Sequence, residues 1–256
     1  MLDYAAFPQQ RQALICQILQ EDGRVVCADL AQRLQVSEHT IRRDLHELSK
    51  EGYCKKVYGG AVMTLPESME YSERKEKNRA TKSRIAQKCA QLVKPGGCIF
   101  IDTGTTNLAM AEALPGELAL TVVTNSPEIA AVLLKKPLYE VVMLGGLVQR
   151  AAGGCVGASA VAQVQGILFD QGFIGGCAMA PESGLTGFDH ADCEFKKAVI
   201  KQCSEIIVGL TSDKIPAVAR FVVAESSAID VLVVEENISR KYRDAFREQE
   251  IRIYTV

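Results

Sequence analysis

A short basic segment near the amino terminus has residue types suited to reading DNA. Apolar residues recur at helical spacing over residues 37–48, which places His39, Arg42 and Arg43 on the opposite side of the predicted helix. An arginine can donate two hydrogen bonds to one guanine, and Thr40, near the helix start, can bond a phosphate. The segment therefore predicts a DNA-recognition helix.

A basic hairpin is predicted directly after this helix. Lys55, Lys56 and Tyr58 precede a glycine turn and suit contact with phosphate oxygens. The alternative is that two adjacent arginines and nearby lysines are only a solvated surface. The combination of two short helices, a tight turn, a capped third helix and a basic hairpin favours DNA binding.

A second candidate site is the segment Asp102-Thr-Gly-Thr-Thr106, which follows an apolar run. A turn rich in glycine and hydroxyl groups at a helix start presents free amides and the positive end of the helix dipole, and both bind phosphate. The alternative is a well-capped turn from strand to helix. The segment matches neither the GxxxxGK[ST] phosphate loop nor the GxGxxG dinucleotide motif.

Other polar segments follow predicted strands in the same way. Thr124-Asn125 ends the second strand, Gly145-Gly146 ends the third, and Lys214 follows a later one. Ligands in open α/β sheets bind beyond the carboxyl ends of the strands, so these loops are expected to converge there. Glu194 is a candidate for a further charge. Each residue taken alone is more typical of a surface or a cap.

The DNA-reading segment is positioned by a compact helical region over residues 1–65. Residues 9–20 form one predicted helix that ends at Asp22-Gly23, and residues 28–34 form a second. Ser37 is a natural cap for the third helix, because its hydroxyl can accept a bond from a free amide. Residues 53–65 are predicted to form two strands around a glycine turn. Three helices followed by such a hairpin predict a winged helix-turn-helix domain.

The rest of the chain divides into a charged connection and an α/β region. Residues 66–84 are polar and highly charged, and we predict a solvated linker helix, a flexible tether being the alternative. Over residues 85–256 apolar runs alternate with helical stretches, which predicts an open, largely parallel α/β sheet. Runs such as 98–101 and 231–234 are continuously apolar, as strands covered on both faces are.

Composition limits the classes of protein that fit. The 256 residues are 48% hydrophobic and carry a net charge of -2, so any nucleic-acid binding must come from a local patch. Nine scattered cysteines without a Cys-x-x-Cys pair argue against a disulfide framework or zinc site and for a reducing, cytoplasmic setting. No apolar stretch of about 18 residues and no signal peptide is seen, so we expect no membrane association. None of the three histidines has a partner at metal-ligand spacing, so we expect no metal, and we predict no cofactor.

The motifs of both halves resemble the DeoR family of bacterial transcriptional regulators. The N-terminal match runs through Arg11-x3-Ile15-x3-Leu19, Ser37-x2-Thr40-Ile41-Arg42-Arg43-Asp44-Leu45, Leu48, Gly52 and Val57-Tyr58-Gly59-Gly60-Ala61. The C-terminal half is similar to the sensor domain of that family, which is related in fold to ribose-5-phosphate isomerase and typically binds phosphorylated sugars. One departure is Thr211, where the family often has the aspartate of an Asp-Ser-Ser-Lys stretch.

The resemblance implies roles for individual residues. The implied DNA-binding residues are Ser37, His39, Thr40, Arg42, Arg43, Lys55, Lys56 and Tyr58. The implied effector-binding residues are Asp102, Gly104, Thr105, Thr106, Thr124, Asn125, Gly145, Gly146, Glu194 and Lys214. Asp44 is expected to orient an arginine or cap neighbouring structure.

The leading hypothesis is a DNA-binding repressor of a carbohydrate-catabolism operon, controlled by a phosphorylated sugar or related metabolite and not an enzyme. We expect a homo-oligomer, a dimer or tetramer on a double-stranded operator, because one short helix reads few base pairs. One alternative is a sugar-phosphate isomerase-like enzyme fused to a DNA-binding domain, with Asp102, Glu194 and Lys214 as acid–base groups. Another is a structural DNA-binding protein without a ligand.

Overall fold

The N-terminal domain is a winged helix-turn-helix. The computed structural model describes residues 7–63 and 71–256, except the side chains of residues 20 and 21. The N-terminal elements are α1 (Pro8–Asp22), β1 (Arg24–Val26), α2 (Cys27–Leu34), α3 (Glu38–Lys50), β2 (Cys54–Val57) and β3 (Gly60–Met63). The predicted helices and hairpin are confirmed, apart from residues 64 and 65, which lie outside the described residues.

The wing contains one strand that the sequence did not predict. β1 pairs antiparallel with β3, so the hairpin becomes a three-stranded sheet in the order β1-β3-β2. Three residues are too few to show a periodic pattern, and only the pairing defines this strand. The fully buried Ile15, Ile41 and Leu45 hold the helices together beneath the sheet.

The segment after the wing differs from the predicted linker helix. Residues 66–70 lie outside the described residues, and the rest forms two helices, α4 (Tyr71–Glu76) and α5 (Arg79–Gln91). Asn78, with a positive φ of 55°, separates them. α5 continues past residue 84 and buries Ile85, Ala86 and Cys89 in the C-terminal core, so it is not a solvated helix. The division of the chain at residues 65 and 84 stays a prediction.

The C-terminal domain is built on a fully parallel sheet of seven strands in the order β15-β14-β12-β9-β4-β5-β6, which confirms the open parallel α/β prediction. Its elements are β4 (Cys98–Ile101), α6 (Thr105–Ala113), β5 (Leu120–Thr124), α7 (Pro127–Leu133), β6 (Tyr139–Met143), β7 (Leu147–Gln149), β8 (Gly154–Val156), α8 (Ala158–Val164), β9 (Gln171–Ile174), β10 (Ala178–Ala180), β11 (Gly184–Gly187), α9 (His190–Ile200), β12 (Ile206–Gly209), β13 (Phe221–Ala224), β14 (Val231–Val234), α10 (Arg240–Arg247) and β15 (Arg252–Thr255).

Alternating side chains of the central strand β4 enter two separate cores. Ile99 and Ile101 face the core shared with α5, α6 and α7, whereas Phe100 faces the core shared with α8, α9 and α10. Phe100 packs against Phe195 of α9 with ring centroids 6.0 Å apart. The sheet is thus covered on both faces, which explains the continuous apolar runs.

A small antiparallel sheet, β10-β11-β13, lies with its adjoining loops against the N-terminal domain. The run of residues 220–224, which the apolar pattern also predicts as a strand, forms β13 of this second sheet and does not join the parallel one. Val62 of the wing packs with Ala180 and Val218, and Arg24 forms an ion pair with Glu182.

Within the described ranges 7–63 and 71–256, no helix is long and apolar enough to cross a membrane.

Candidate functional site

The start of α3 is fixed by a side-chain cap, as predicted. The Ser37 hydroxyl accepts a hydrogen bond from the Thr40 backbone amide at 3.1 Å and lies 2.9 Å from the Thr40 hydroxyl. The cap satisfies one of the amides that a helix start leaves free. Both residues lie at the edge of the surface that α3 presents to solvent.

The predicted recognition face of α3 is exposed. His39, Arg42, Arg43 and His46 are all exposed, whereas Ile41 is fully buried. Arg42 forms an ion pair with Glu38 one turn earlier, at 2.7 Å. The helix therefore offers two imidazoles and two guanidinium groups on one side, which are the donors needed at base edges and phosphates.

A buried ion pair attaches α3 to α1. The Asp44 carboxylate accepts from the Arg11 guanidinium through both oxygens, with 3.0 Å between Nη2 and Oδ1. Both side chains are only 1% exposed. This geometry agrees with the expectation that Asp44 orients an arginine, and it fixes the recognition helix against the first helix.

The three predicted wing residues do not share one surface. Tyr58 is fully exposed at the tip of the hairpin, and Lys56 is exposed on β2. Lys55 lies opposite Val62 in the β2–β3 pair and lines a cleft between the wing and the C-terminal domain, which also contains Glu182 and Glu225. Its side chain thus turns toward the C-terminal domain.

A cavity of about 170 Å³ lies beyond the carboxyl ends of β4, β9 and β12, with α4 and α5 forming one wall. Gly104, Thr105 and Thr106 line it at the start of α6, as the sequence predicted. Gly104 has a φ of 141°, a conformation that glycine adopts without strain. The free amides of the first turn and the two threonine hydroxyls form an anion-binding arrangement.

Four cations surround one end of this cavity. Lys214, which the sequence predicted, lines it and donates to the Gly176 carbonyl at 2.9 Å. Arg74, Lys77 and Lys82 of the predicted linker also line it, and the sequence interpretation missed them. Lys82 is only 6% exposed, and burial together with the nearby Lys214 and Arg74 lowers its pKa to about 8. Arg74 Nε is buried without a hydrogen-bond partner, so one donor is left for a ligand.

The other end of the cavity holds a buried lysine between two carboxylates. Lys196 Nζ lies 3.3 Å from Asp102 Oδ2 and contacts Asp192 Oδ1. Burial alone would lower the pKa of Lys196, but the two carboxylates more than offset it and raise the pKa. Burial raises the pKa of Asp102 against the opposing effect of Lys196, although Asp102 also accepts from the Gly175 amide at 2.8 Å.

Thr124 and Asn125 lie behind the cavity wall. The Thr124 hydroxyl donates to the Ile101 carbonyl at 2.7 Å, and Asn125 Oδ1 accepts from the Thr103 amide at 3.0 Å. Both side chains are fully buried and none of their atoms lines the cavity. They hold the loop after β4 in place.

Three predicted effector residues lie away from this cavity, which corrects the expected convergence. Gly145 and Gly146 follow the edge strand β6, and the Gly145 amide bonds Gln163 of α8. Glu194 is exposed and pairs with Lys197, because the turn of α9 directs Asp192 and Lys196 inward instead. The Asp192–Lys196 spacing of four residues was the signal in the sequence for the inward pair.

No cluster of three potential metal ligands occurs in residues 7–63 and 71–256, the described part of the chain. The side chains that line the cavity carry ammonium, guanidinium, carboxylate, hydroxyl, amide and thiol groups. Such groups can bind a phosphorylated, hydroxylated small molecule.

Comparison with known proteins shows the family. Residues 77–236 match the model of the DeoR C terminal sensor domain, and residues 11–66 match the DeoR-like helix-turn-helix domain. The HTH-type transcriptional regulator GolR of Listeria innocua is 30% identical over 93% of this chain and 96% of its own. The glycerol-3-phosphate regulon repressor of Escherichia coli is 29% identical over 88% of this chain and 90% of its own.

Among solved structures, ribose 5-phosphate isomerase A of Methanocaldococcus jannaschii aligns with a TM-score of 0.40 at 19% identity, over 54% of this chain and 55% of that one. The sorbitol operon regulator SorC of Klebsiella pneumoniae aligns with a TM-score of 0.36 at 12% identity, over 79% and 88%. The two family models together span both domains described above. The chain therefore belongs to the DeoR family of DNA-binding transcriptional regulators.

Proposed function

We propose that this chain represses a carbohydrate-catabolism operon in the cytoplasm and that a phosphorylated sugar or related metabolite controls its binding to the operator. The observation that carries the proposal is the cavity at the start of α6, where four cations surround free helix amides. The exposed basic face of α3 supplies the DNA contact in the same chain.

A phosphate group fits the cationic end for electrostatic reasons. Arg74, Lys77, Lys82 and Lys214 face the single carboxylate of Asp213, so an excess of positive charge remains for an anion. A bound phosphate dianion accepts from the α6 amides, the Thr105 and Thr106 hydroxyls and Arg74 Nε. One relative of this chain is a glycerol-3-phosphate regulon repressor, which supports a phosphorylated effector.

One continuous segment connects the cavity with the DNA-binding domain. Asp213 and Lys214 line the cavity, Pro216 packs under Gly23 at the end of α1, and Val218 packs with Val62 of the wing. A ligand that pulls on Lys214 therefore acts on the support of the wing. Such coupling requires that the ligand binds two arrangements of the protein with different affinity.

The test measures operator binding with and without candidate effectors. DNA fragments selected by the protein from genomic DNA are titrated by fluorescence anisotropy in the presence of glycerol, pentose and hexose phosphates. We expect at least one to change the DNA affinity by about 5–150-fold. The Lys214→Met variant should bind DNA normally but lose this response, whereas Lys201→Met, on the surface after α9, should keep it.

The two alternative hypotheses, an enzyme and a structural DNA-binding protein, predict different results in the same experiments. An enzyme would turn over the pentose or hexose phosphates, and a structural DNA-binding protein would show neither a response nor thermal stabilisation by any of them. We further propose a homo-oligomer, since one recognition helix reads few base pairs. Light scattering of the free protein and of its operator complex measures the number of chains.

A further inference from the structure

The cavity has two ends that differ in their free charge. At the first, the cationic end, Arg74, Lys77, Lys82 and Lys214 face one carboxylate, that of Asp213. This end retains several uncompensated positive charges, which suits one phosphate group.

At the second, the Lys196 end, the single ammonium is already compensated. Lys196 Nζ contacts Asp192 and lies 3.3 Å from Asp102, and all three side chains are buried. One ammonium against two carboxylates leaves a net charge of -1, or zero when Asp102 holds a proton. In neither state does this end offer a free cation.

The loop after β9 joins the two ends. The Gly175 amide donates to Asp102 Oδ2 at 2.8 Å, beside Lys196, whereas the Gly176 carbonyl accepts from Lys214 at 2.9 Å. Gly175, Gly176 and Cys177 all line the cavity. A ligand whose phosphate lies at the α6 amides therefore extends along this loop toward Lys196.

We propose that the effector is a monophosphate whose far end is uncharged and hydroxylated, a sugar or polyol phosphate, and that the Lys196 end excludes sugar-acid phosphates and bisphosphates. This rests on the proposed function. A hydroxyl group donates to the Asp192 carboxylate and accepts from Lys196, so it satisfies both. A carboxylate or second phosphate can only accept, and it meets the like charge of Asp192 in a buried site.

The experiment compares ligands that differ only at the far end. Calorimetric titration of the full chain at pH 7.5 uses glycerol 3-phosphate against 3-phosphoglycerate, erythritol 4-phosphate against 4-phosphoerythronate, and sorbitol 6-phosphate against 6-phosphogluconate and sorbitol 1,6-bisphosphate. At the chain length that binds most tightly, the uncharged member should bind at least about tenfold more tightly than the charged ones.

Two variants locate the discrimination. Asp192→Asn removes the repelling charge and keeps a hydrogen-bonding group, so the ratio between uncharged and charged ligands should fall toward one. Glu194→Gln, two residues away on the exposed side of α9, should leave the ratio unchanged. Thermal unfolding and binding of the polyol phosphate show whether Asp192→Asn is folded; if it is not, the wild-type ratio alone decides.

Each outcome bears on a different statement. Equal or tighter binding of the sugar-acid phosphate or the bisphosphate by the wild type overturns this inference and leaves the proposed function intact. An unchanged ratio in folded Asp192→Asn overturns the assignment of the selectivity to the Lys196 end. Failure of every phosphorylated compound to bind removes the proposed function and this inference together.

Discussion

The affinity for a phosphorylated effector should fall as the pH rises from 7 to 9, because Lys82 loses its proton over this range. Lys82 is buried, and burial with the neighbouring Lys214 and Arg74 lowers its pKa to about 8 from the ordinary 10.5. Phosphate monoesters lose their second proton near pH ~6 and are dianions throughout this range. The titration of the protein therefore decides the pH dependence.

The magnitude follows from the protonated fraction of Lys82. With a pKa of about 8, the protonated fraction falls from roughly nine-tenths at pH 7 to roughly one-tenth at pH 9. If the bound dianion requires the ammonium form, the affinity falls about tenfold, or ~1.4 kcal/mol. At pH 8, binding should take up roughly half a proton.

The stability of the free protein also depends on pH through Lys82, and the sign of this dependence follows from its lowered pKa. The folded pKa of Lys82 lies below its unfolded value, so the unfolded chain binds more protons between pH 8 and 10.5. The folded protein therefore becomes more stable as the pH rises through that window. Below pH 8 the buried, protonated Lys82 destabilises the folded state to its full extent. Lys82→Met removes the buried charge, and we expect the Tm at pH 7 to rise by roughly 2–4 °C.

Calorimetric titrations at pH 7, 8 and 9, in buffers of different ionisation enthalpy, measure both the affinity and the proton uptake. Lys82→Met should bind more weakly at pH 7 and show a shallower slope. Lys88→Met removes a lysine of the same helix that packs over Tyr254 outside the cavity, so it should behave as wild type. An affinity that stays constant from pH 7 to 9 in the wild type refutes the reasoning.

Three further changes test the DNA-binding half. Asp44→Ala removes the carboxylate that accepts two hydrogen bonds from the buried Arg11 guanidinium and should cost about 3–5 kcal/mol by denaturant unfolding, so a loss below ~1 kcal/mol contradicts the ion-pair assignment. Arg43→Ala should weaken operator binding by about 1–3 kcal/mol in anisotropy titrations, and unchanged affinity removes this residue from the recognition face. Gly23→Ala places a Cβ 2.0 Å from the Pro216 side chain, at a positive φ of 68°. We expect the free energy of unfolding to fall by about 1–3 kcal/mol and the effector response to weaken. A wild-type response contradicts the coupling through this contact.

Local patterns predicted the helices and hairpin of the N-terminal domain and the parallel sheet of the C-terminal domain, because these patterns depend on near neighbours in the sequence. The helical spacing in α3 identifies its buried and exposed sides, and Ser37 identifies its start. The continuous apolar strands predicted the parallel sheet, and the glycine and threonine turn after β4 predicted the cavity wall at α6. These features need no knowledge of what packs against them.

The cavity cations between residues 74 and 82 could not be predicted in this way. Arg74, Lys77 and Lys82 stand in a charged segment with the composition of a solvated helix. Only the packing of Ile85 and Ala86 against the sheet brings this segment over the carboxyl ends of the strands. Tertiary contacts between distant parts of the chain decide which charges of a polar helix enter a site.

Two of the cations that line the cavity also hold α4. Lys82 donates to the Arg74 carbonyl, and Arg74 donates to the Ala151 carbonyl, so the side chains that face the cavity fix α4 in place. A phosphate bound as proposed would recruit the same donors and compete with these carbonyls for them. The segment after the cavity residue Lys214 contains Pro216, which packs under Gly23, and Val218, which packs with Val62 of the wing. An anion in the cavity would therefore act both on the position of α4 and on a segment that contacts the DNA-binding domain.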